Sequence, residues 1–197
     1  MPRERREQQI LDLATAEFGD RGYAHASLAD IATAAGVSKP LIYTYFGSRD
    51  GLHTACVRRA GDSLVEAVAR AQAVPGAQDR ALATLTGIFH ALDGRTQNWR
   101  IIYDTTLPRP SAAYDQAHAY QRALNTMGSE GVADILGGAC TPEDHSLLLS
   151  WWFGIVSTTI AWWRDHPGDT PADMADRCLR VFTALRQPPA GADPVQR

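Results

Sequence analysis

Lysine is nearly absent from this chain, in which Lys39 is the single lysine among 19 basic residues. Cysteine is scarce as well, since Cys56, Cys140 and Cys178 are odd in number and far apart. No two of them have the C-x-x-C spacing of metal or redox sites, so the pattern of a disulfide framework or a thiolate metal centre is missing. The three cysteines are therefore predicted to be reduced thiols in a cytoplasmic protein.

The chain also lacks an apolar run long enough to cross a membrane. Its uncharged stretch over residues 147–163 has 17 residues, which as a helix span roughly 25 Å against a hydrocarbon core of ~30 Å. Serine and threonine interrupt this stretch, so burial inside the protein is the better prediction. The opening residues 2–7 are mostly charged and lead into an amphipathic pattern, from which we expect no signal peptide.

Catalytic signatures are missing too. The sequence has no G-x-S-x-G, no phosphate-binding glycine loop, no H-E-x-x-H and no dinucleotide fingerprint. His90 and His118 are not spaced as a metal-ligating pair. The sequence therefore predicts neither an enzyme nor a cofactor or metal site.

What the chain does contain is two short helical patterns within residues 27–52. In the first, one apolar face is formed by Leu28, Ile31, Ala32 and Ala35. Gly36 then permits a sharp turn, and Ser38 is placed to cap the helix that follows. Two helices at this spacing predict a helix-turn-helix.

The second pattern covers residues 39–46 and places Ile42 and Phe46 four positions apart, facing the first helix. Six residues are left outside: Lys39, Pro40, Leu41, Tyr43, Thr44 and Tyr45. An exposed helix N-terminus attracts anions, and recognition helices enter the major groove by that end. The pattern therefore predicts a DNA-reading helix.

Beyond residue 50 the chain reads as further helices separated by proline and glycine turns, without a strand-period segment of useful length. The expected helices cover residues 48–72, 78–92, 96–106, 111–136, 142–165 and 171–187. With three helices before them, they predict an all-α protein of about nine helices.

Five features of residues 1–57 carry a family resemblance: Arg6 with the apolar heptad of the first helix, Phe18 and Gly22, Ser27-x3-Ile31-Ala32, Ala35-Gly36-Val37-Ser38, and Tyr43-x-Tyr45-Phe46-x-Ser48-Arg49-Asp50. Together they resemble the TetR family of transcriptional regulators. Two positions depart from the family pattern. Leu41 replaces a small residue, and Gly51 replaces an acidic residue that would complete a capping box with Ser48.

The resemblance implies a helix-turn-helix DNA-binding domain over residues 1–50 and a helical domain for ligand binding and dimerisation over 51–187. Residues 188–197 are expected to be a disordered tail. The implied function is a ligand-responsive homodimer that binds a palindromic operator, as a repressor rather than an activator, and is released by a small apolar or aromatic effector. The alternative is a helical adaptor with a vestigial DNA-binding head, for which an outward Leu41 is the support.

The expected DNA contacts are of two kinds, to phosphates and to bases. Phosphate contacts are assigned to Ser27, Ser38, Tyr43, Tyr45 and Arg49. Base edges or thymine methyl groups are assigned to Lys39, Pro40 and Thr44, and Leu41 is expected to alter base choice. Against this, Lys39 could be a solvated first-turn residue and the tyrosines could belong to the core.

An effector pocket is expected among aromatic and polar residues of the middle helices, namely Phe89, His90, Trp99, Tyr103, Tyr114, His118, Gln121 and Trp152. Core packing is the competing interpretation for each of them.

A dimer interface is expected on the last two helices. The helix near 142–165 is apolar almost all round and must be covered on both sides. Its expected contacts are Trp151 and the small residues Gly154, Ser157 and Ala161, joined by Cys178, Val181 and Phe182 from the final helix.

Overall fold

The computed structural model describes residues 2–136 and 140–186 and is helical throughout that part, without strands. Its nine helices are α1 (Arg3–His25), α2 (Leu28–Ala35), α3 (Lys39–Phe46), α4 (Arg49–Gln72), α5 (Ala77–Ala91), α6 (Gln97–Ile102), α7 (Ala112–Leu136), α8 (Pro142–Asp165) and α9 (Pro171–Arg186). The predicted all-α class and the predicted number of helices are confirmed. The tail expected over residues 188–197 lies outside the described residues.

The first three helices form the predicted head. The four apolar positions predicted for one face of α2 are all buried, and Ile42 of α3 is completely buried beside them. Gly36 ends α2 in the left-handed region, with φ of 62°. Arg6 of α1 donates a hydrogen bond to the carbonyl oxygen of Ala35 over 3.0 Å. That bond joins the first helix to the turn between α2 and α3.

The fourth helix connects the head to the rest of the molecule. Its 24 residues pack against α1, α5, α6 and α7, with Leu52, Cys56, Val57 and Leu64 completely buried. At Gly61 the ring of Tyr120 on α7 lies where a Cβ atom would be. α4 therefore contacts the head through α1 and the rest of the protein through α5, α6 and α7, as one uninterrupted helix.

One predicted helix is shorter than expected. The helix expected over residues 96–106 ends at Ile102, because the carboxylate of Asp104 accepts hydrogen bonds from the backbone and hydroxyl of Thr106, each over 2.7 Å. The following Pro108 cannot continue a helix. The sequence signal for this end was the Asp-Thr-Thr-Leu-Pro run, which favours a turn over another helical turn.

The apolar stretch over residues 147–163 forms most of α8. Val156, Ile160 and Trp163 bury one side of this helix, whereas Trp151 on another side is 60% exposed. Within one chain, α8 is thus packed against the protein on one side only. Its apolar residues occur on both sides, so the pattern predicted burial of both. Within residues 2–136 and 140–186, no helix combines the length and the hydropathy needed to span a membrane.

Candidate nucleic-acid interface and effector cavity

The exposed face of α3 gathers most of the residues predicted to contact DNA. Ser38, Lys39, Pro40 and Thr44 are exposed, and Tyr43 is 39% exposed. The Ser38 hydroxyl caps the helix by accepting a hydrogen bond from the backbone N–H of Leu41. The Nζ of Lys39 lies 5.9 Å from the centre of the Tyr43 ring. A cation, a phenol and a capped helix N-terminus therefore share one solvent-facing surface, which suits phosphate oxygens.

Thr44 is exposed on the same surface. Its hydroxyl donates to the carbonyl oxygen of Pro40 within the same helix, over 3.1 Å. With its proton engaged there, the side chain offers a methyl group and an acceptor rather than a free donor. Such a side chain is suited to apolar contact with a thymine methyl group.

Three other residues predicted to contact DNA are only partly exposed. Leu41 is half-buried. Tyr45 is half-buried too, packs its ring 6.0 Å from that of Phe46 and lies under the Arg3 guanidinium, 5.3 Å away. Ser27 caps α2 by accepting a hydrogen bond from the N–H of Asp30.

Arg49 turns inward rather than toward solvent. Its guanidinium lies over the rings of Phe18 and Tyr23, 5.5 and 4.9 Å from their centres. It also donates a hydrogen bond to the carbonyl oxygen of Tyr23. The family resemblance implied a phosphate contact for Arg49, but the side chain folds back and joins the start of α4 to the end of α1.

Gly51 stands where the family pattern has an acidic residue, and the structure gives a steric reason for the glycine. Ser48 still caps α4 by accepting from the N–H of Gly51, over 2.9 Å. A Cβ atom on residue 51 would collide with the carbonyl oxygen of Phe46. The turn between α3 and α4 therefore requires glycine where the family pattern has an acidic side chain.

A cavity of about 200 Å³ lies between α4, α5, α7 and α8. The larger side chains that line it are Val68, Gln72, Arg80, Ile88, Trp99, Leu124, Met127, Leu148, Trp151, Trp152, Phe153 and Ile155. For comparison, an apolar cavity of ~150 Å³ holds benzene. The space suits a compact ligand of one or two rings.

The polar groups of the cavity wall are mostly engaged with the protein. The indole N–H of Trp99 donates to the Ser157 hydroxyl over 3.1 Å, and the Thr84 hydroxyl donates to the carbonyl oxygen of Arg80 over 2.8 Å. Arg80 itself donates through Nε to the carbonyl oxygen of Val74. A ligand therefore meets an apolar wall, which favours an apolar or aromatic molecule.

Of the eight residues predicted for the pocket, Trp99 and Trp152 line this cavity. Tyr103 lies behind Trp99, with the ring centres 4.6 Å apart, and burial raises the pKa of its phenol. Phe89 is completely buried against Trp163.

The other four predicted pocket residues have different neighbours. Gln121 donates to the carbonyl oxygen of Ile102, and His90 is exposed. Tyr114 and His118 contact each other. Sequence reasoning missed the contribution of α4, where Val68 and Gln72 stand four positions apart and share a face.

An exposed apolar surface runs along the last two helices. This surface, here called the α8–α9 face, consists of Leu147, Trp151, Ile155 and Trp162 on α8 with Val181 and Leu185 on α9. Trp162 lies against the Arg177 guanidinium, 4.9 Å from ring centre to Cζ, which joins the last turns of α8 to the first half of α9.

The residues predicted for a dimer interface are spread around this face. Trp151 and Val181 belong to it, while Gly154 and Ala161 are exposed beside it. The Ser157 hydroxyl is engaged with Trp99. Cys178 is buried, Phe182 is half-buried, and burial raises the pKa of the Cys178 thiol.

The end of α1 is joined to the loop after α6 by hydrogen bonds, a contact here called the α1–α6 junction. The N–H of Tyr23 donates to the Asp104 carboxylate, and the N–H of Ala24 donates to the Thr106 hydroxyl over 3.1 Å. Gly22 has φ of 75°, and a Cβ atom there would lie 2.9 Å from the Thr106 hydroxyl oxygen. The head is thus bonded to the segment that follows Trp99 and Tyr103.

His53 is buried beside this junction. Its ring meets those of Phe18 and Tyr23 edge-on, with centres 4.8 and 5.2 Å away. Within the described part of the chain, neither ring nitrogen has a hydrogen-bond partner. Burial lowers the pKa of His53 to about 4, against the opposing effect of Asp104. The imidazole is therefore neutral at physiological pH.

These features describe a helical protein with a helix-turn-helix head and a helical body that contains a cavity, an architecture typical of bacterial DNA-binding regulators. The family model described as bacterial regulatory proteins, tetR family, matches residues 10–56. The match assigns the helix-turn-helix head of this chain to the TetR type.

Known relatives agree with this assignment. The HTH-type transcriptional activator FasR of Mycolicibacterium smegmatis is 35% identical over 105 residues, which are 53% of this chain and 48% of FasR. The chain thus spans about half the length of that relative. A TetR-like regulator from Rhodococcus sp. RHA1 has a TM-score of 0.67 and 26% identity over 95% of this chain and all of that one. AibR, solved with isovaleryl coenzyme A and operator DNA, has the same fold, with a TM-score of 0.71 and 22% identity over 89% of this chain and 97% of AibR.

Proposed function

We propose that this protein is a cytoplasmic, ligand-responsive homodimeric transcriptional regulator. In this proposal it represses transcription by binding a palindromic operator and is released by a small apolar or aromatic effector. The observation that carries the proposal is the exposed face of α3, where Lys39 and Tyr43 flank a capped N-terminus. The half-buried position of Leu41 weakens the case for an adaptor, which rested on that residue pointing outward.

The α8–α9 face supports the dimer. Two copies related by a two-fold axis would present two α3 helices to successive major grooves, about 34–36 Å apart. Ser38 and Tyr43 would then hold phosphates, and Lys39, Pro40 and Thr44 would read bases.

The cavity and its connections support effector control. α4 supplies Val68 and Gln72 to the cavity wall and begins directly after the α3 turn. Trp99 lines the cavity and precedes the α1–α6 junction. Effector entry would shift α4 and this junction together and change the spacing of the two α3 helices. A coupling of ~1–3 kcal/mol, or about 5–150-fold in affinity, is enough for such a switch. AibR, whose structure contains isovaleryl coenzyme A and operator DNA, is a precedent on this fold.

The test is binding of the purified protein to the intergenic DNA that flanks its own gene, at two salt concentrations and with excess competitor DNA. We expect competitor-resistant, nanomolar binding by a dimer. Lys39→Glu should abolish this binding. Arg95→Glu is the matched control, because it reverses an exposed charge in the α5–α6 connection, away from α3. Binding that disappears with competitor, or that Lys39→Glu leaves intact, would contradict the proposal and favour the adaptor.

A further inference from the structure

The cavity opens on the α8–α9 face. Trp151 and Ile155 both line the cavity, yet their side chains are 60% and 41% exposed. They stand four positions apart on α8 and therefore lie one above the other along a single edge of the cavity. Helices α4, α5 and α7 of one chain form the inner walls of the cavity. The outer edge of the cavity, at Trp151 and Ile155, remains in contact with water.

The same edge is part of the α8–α9 face, an apolar surface at the upper limit of what soluble monomers expose. The six side chains of the α8–α9 face are 37% to 77% exposed and together expose on the order of 600 Å², against the ~800 Å² that each partner buries in a standard interface. Soluble monomers rarely expose a contiguous apolar patch larger than a few hundred Å². A two-fold dimer buries the same patch on both copies, so a second copy of this chain fits the surface without another partner.

We infer that the second copy forms the outer wall of the cavity, so that each effector site is complete only in the dimer. This inference rests on the proposed dimer and effector. Burying Trp151 and Ile155 under the partner removes water from the open edge and adds apolar contacts to any ligand inside. Effector binding and dimer formation are then linked, and by reciprocity each strengthens the other by the same factor.

The test uses N-phenyl-1-naphthylamine, a neutral apolar fluorophore that brightens out of water, with sedimentation to establish the oligomeric state. Val181→Glu places a charge on the α8–α9 face at a side chain that is 52% exposed and does not line the cavity. We expect a folded monomer that binds the probe at least tenfold more weakly than the wild-type dimer, within the usual coupling range of about 5–150-fold. Thr183→Glu is the matched control, because it adds the same charge on the opposite flank of α9 and should leave both dimer and probe binding unchanged.

Two further measurements complete the test. The wild-type protein diluted below its dimer dissociation constant should lose probe affinity by the same factor, which needs no substitution. Ala81→Trp should fill the cavity and abolish probe binding by the dimer, which assigns the signal to the cavity.

The inference is overturned if monomer and dimer bind the probe equally, if the dimer does not bind it, or if Ala81→Trp leaves binding intact. A wild-type protein that sediments as a monomer before any probe is added would instead refute the dimer of the proposed function. The two failures are thus distinguishable.

Discussion

The backbone N–H of Tyr23 donates a hydrogen bond to the carboxylate of Asp104 over 2.6 Å, across 81 residues of chain. The same carboxylate accepts from Thr106, whose hydroxyl in turn accepts from Ala24. The last residues of α1 and the loop after α6 therefore form one hydrogen-bonded unit. The head is therefore joined to this loop by hydrogen bonds in addition to the packing of α1 against α6.

Replacing Asp104 by alanine should destabilise the protein by about 1–3 kcal/mol, because it leaves a partly buried N–H of Tyr23 without an acceptor. Urea unfolding measures this loss. Asp115→Ala removes an exposed carboxylate from α7 and serves as the control, with little expected change. Equal stabilities for the two variants would mean that the junction contributes nothing to the fold.

Lys39→Ala should relax the preference for one base pair in each operator half-site, because the proposed partner of its ammonium group is a base edge. The expected loss is about 1–3 kcal/mol on the preferred sequence. Selection from a library of operator variants measures the change, with Arg58→Ala on the exposed side of α4 as the control. An unchanged operator profile would identify Lys39 as a solvated residue.

Tyr43→Phe should weaken binding to every sequence by a similar factor, because the proposed partner of its hydroxyl is a phosphate. A hydrogen bond to a charged group contributes about 1.5–3 kcal/mol. Tyr45→Phe is the comparison variant. It should reduce the free energy of DNA binding by less than Tyr43→Phe does, because the Tyr45 ring is half-buried against Phe46. A change in sequence preference, rather than in overall affinity, would contradict the phosphate assignment.

His53→Phe should remove part of the acid sensitivity of the fold. The wild-type pKa falls from 6.5 to about 4 on burial, so below pH 6.5 the unfolded chain takes up a proton that the folded protein does not. The stability that His53 contributes is present above pH 6.5 and is lost as the pH falls toward 4, by about 3 kcal/mol. Phenylalanine fits the surrounding aromatic rings and does not titrate. Unfolding at pH 7 and pH 4.5 measures the slope, with the exposed His90→Gln as control, and an unchanged slope in His53→Phe would refute the assignment.

Gly51→Ala should destabilise the head by about 1–3 kcal/mol, because the added Cβ collides with the carbonyl oxygen of Phe46. Gly131→Ala on α7 is the control. A Cβ atom there meets no heavy atom within 4 Å, so the substitution should stabilise the helix by up to about 1 kcal/mol. Thermal unfolding compares the two, and a stabilised Gly51→Ala variant would show that the turn can relax.

The fold of the head could be predicted because its signals are local. Ser27 and Ser38 cap their own helices, and Gly36 makes its turn with the residues beside it. The inward turn of Arg49 could not be predicted, because its partners Phe18 and Tyr23 are 26 or more residues away and nothing in the spacing identifies them.

The cavity was predicted less well for the same reason. Aromatic content pointed to the region of Trp99 and Trp152, but it did not separate cavity walls from core. Phe89 and Trp99 are both aromatic residues of the middle helices, yet Phe89 packs against Trp163 whereas Trp99 borders the cavity. That difference depends on how α5, α7 and α8 are spaced, which periodicity within each helix does not determine.

The single lysine of this chain has a practical consequence. Amine-directed chemistry, such as coupling to a fluorophore ester or to a sensor surface, can modify only one side chain here, and that side chain lies on the exposed face of α3. Acylation removes its positive charge. A labelling procedure that leaves most proteins intact would therefore alter the very surface proposed to contact DNA, and thiol or carboxyl coupling is the appropriate route for attaching this protein to a probe.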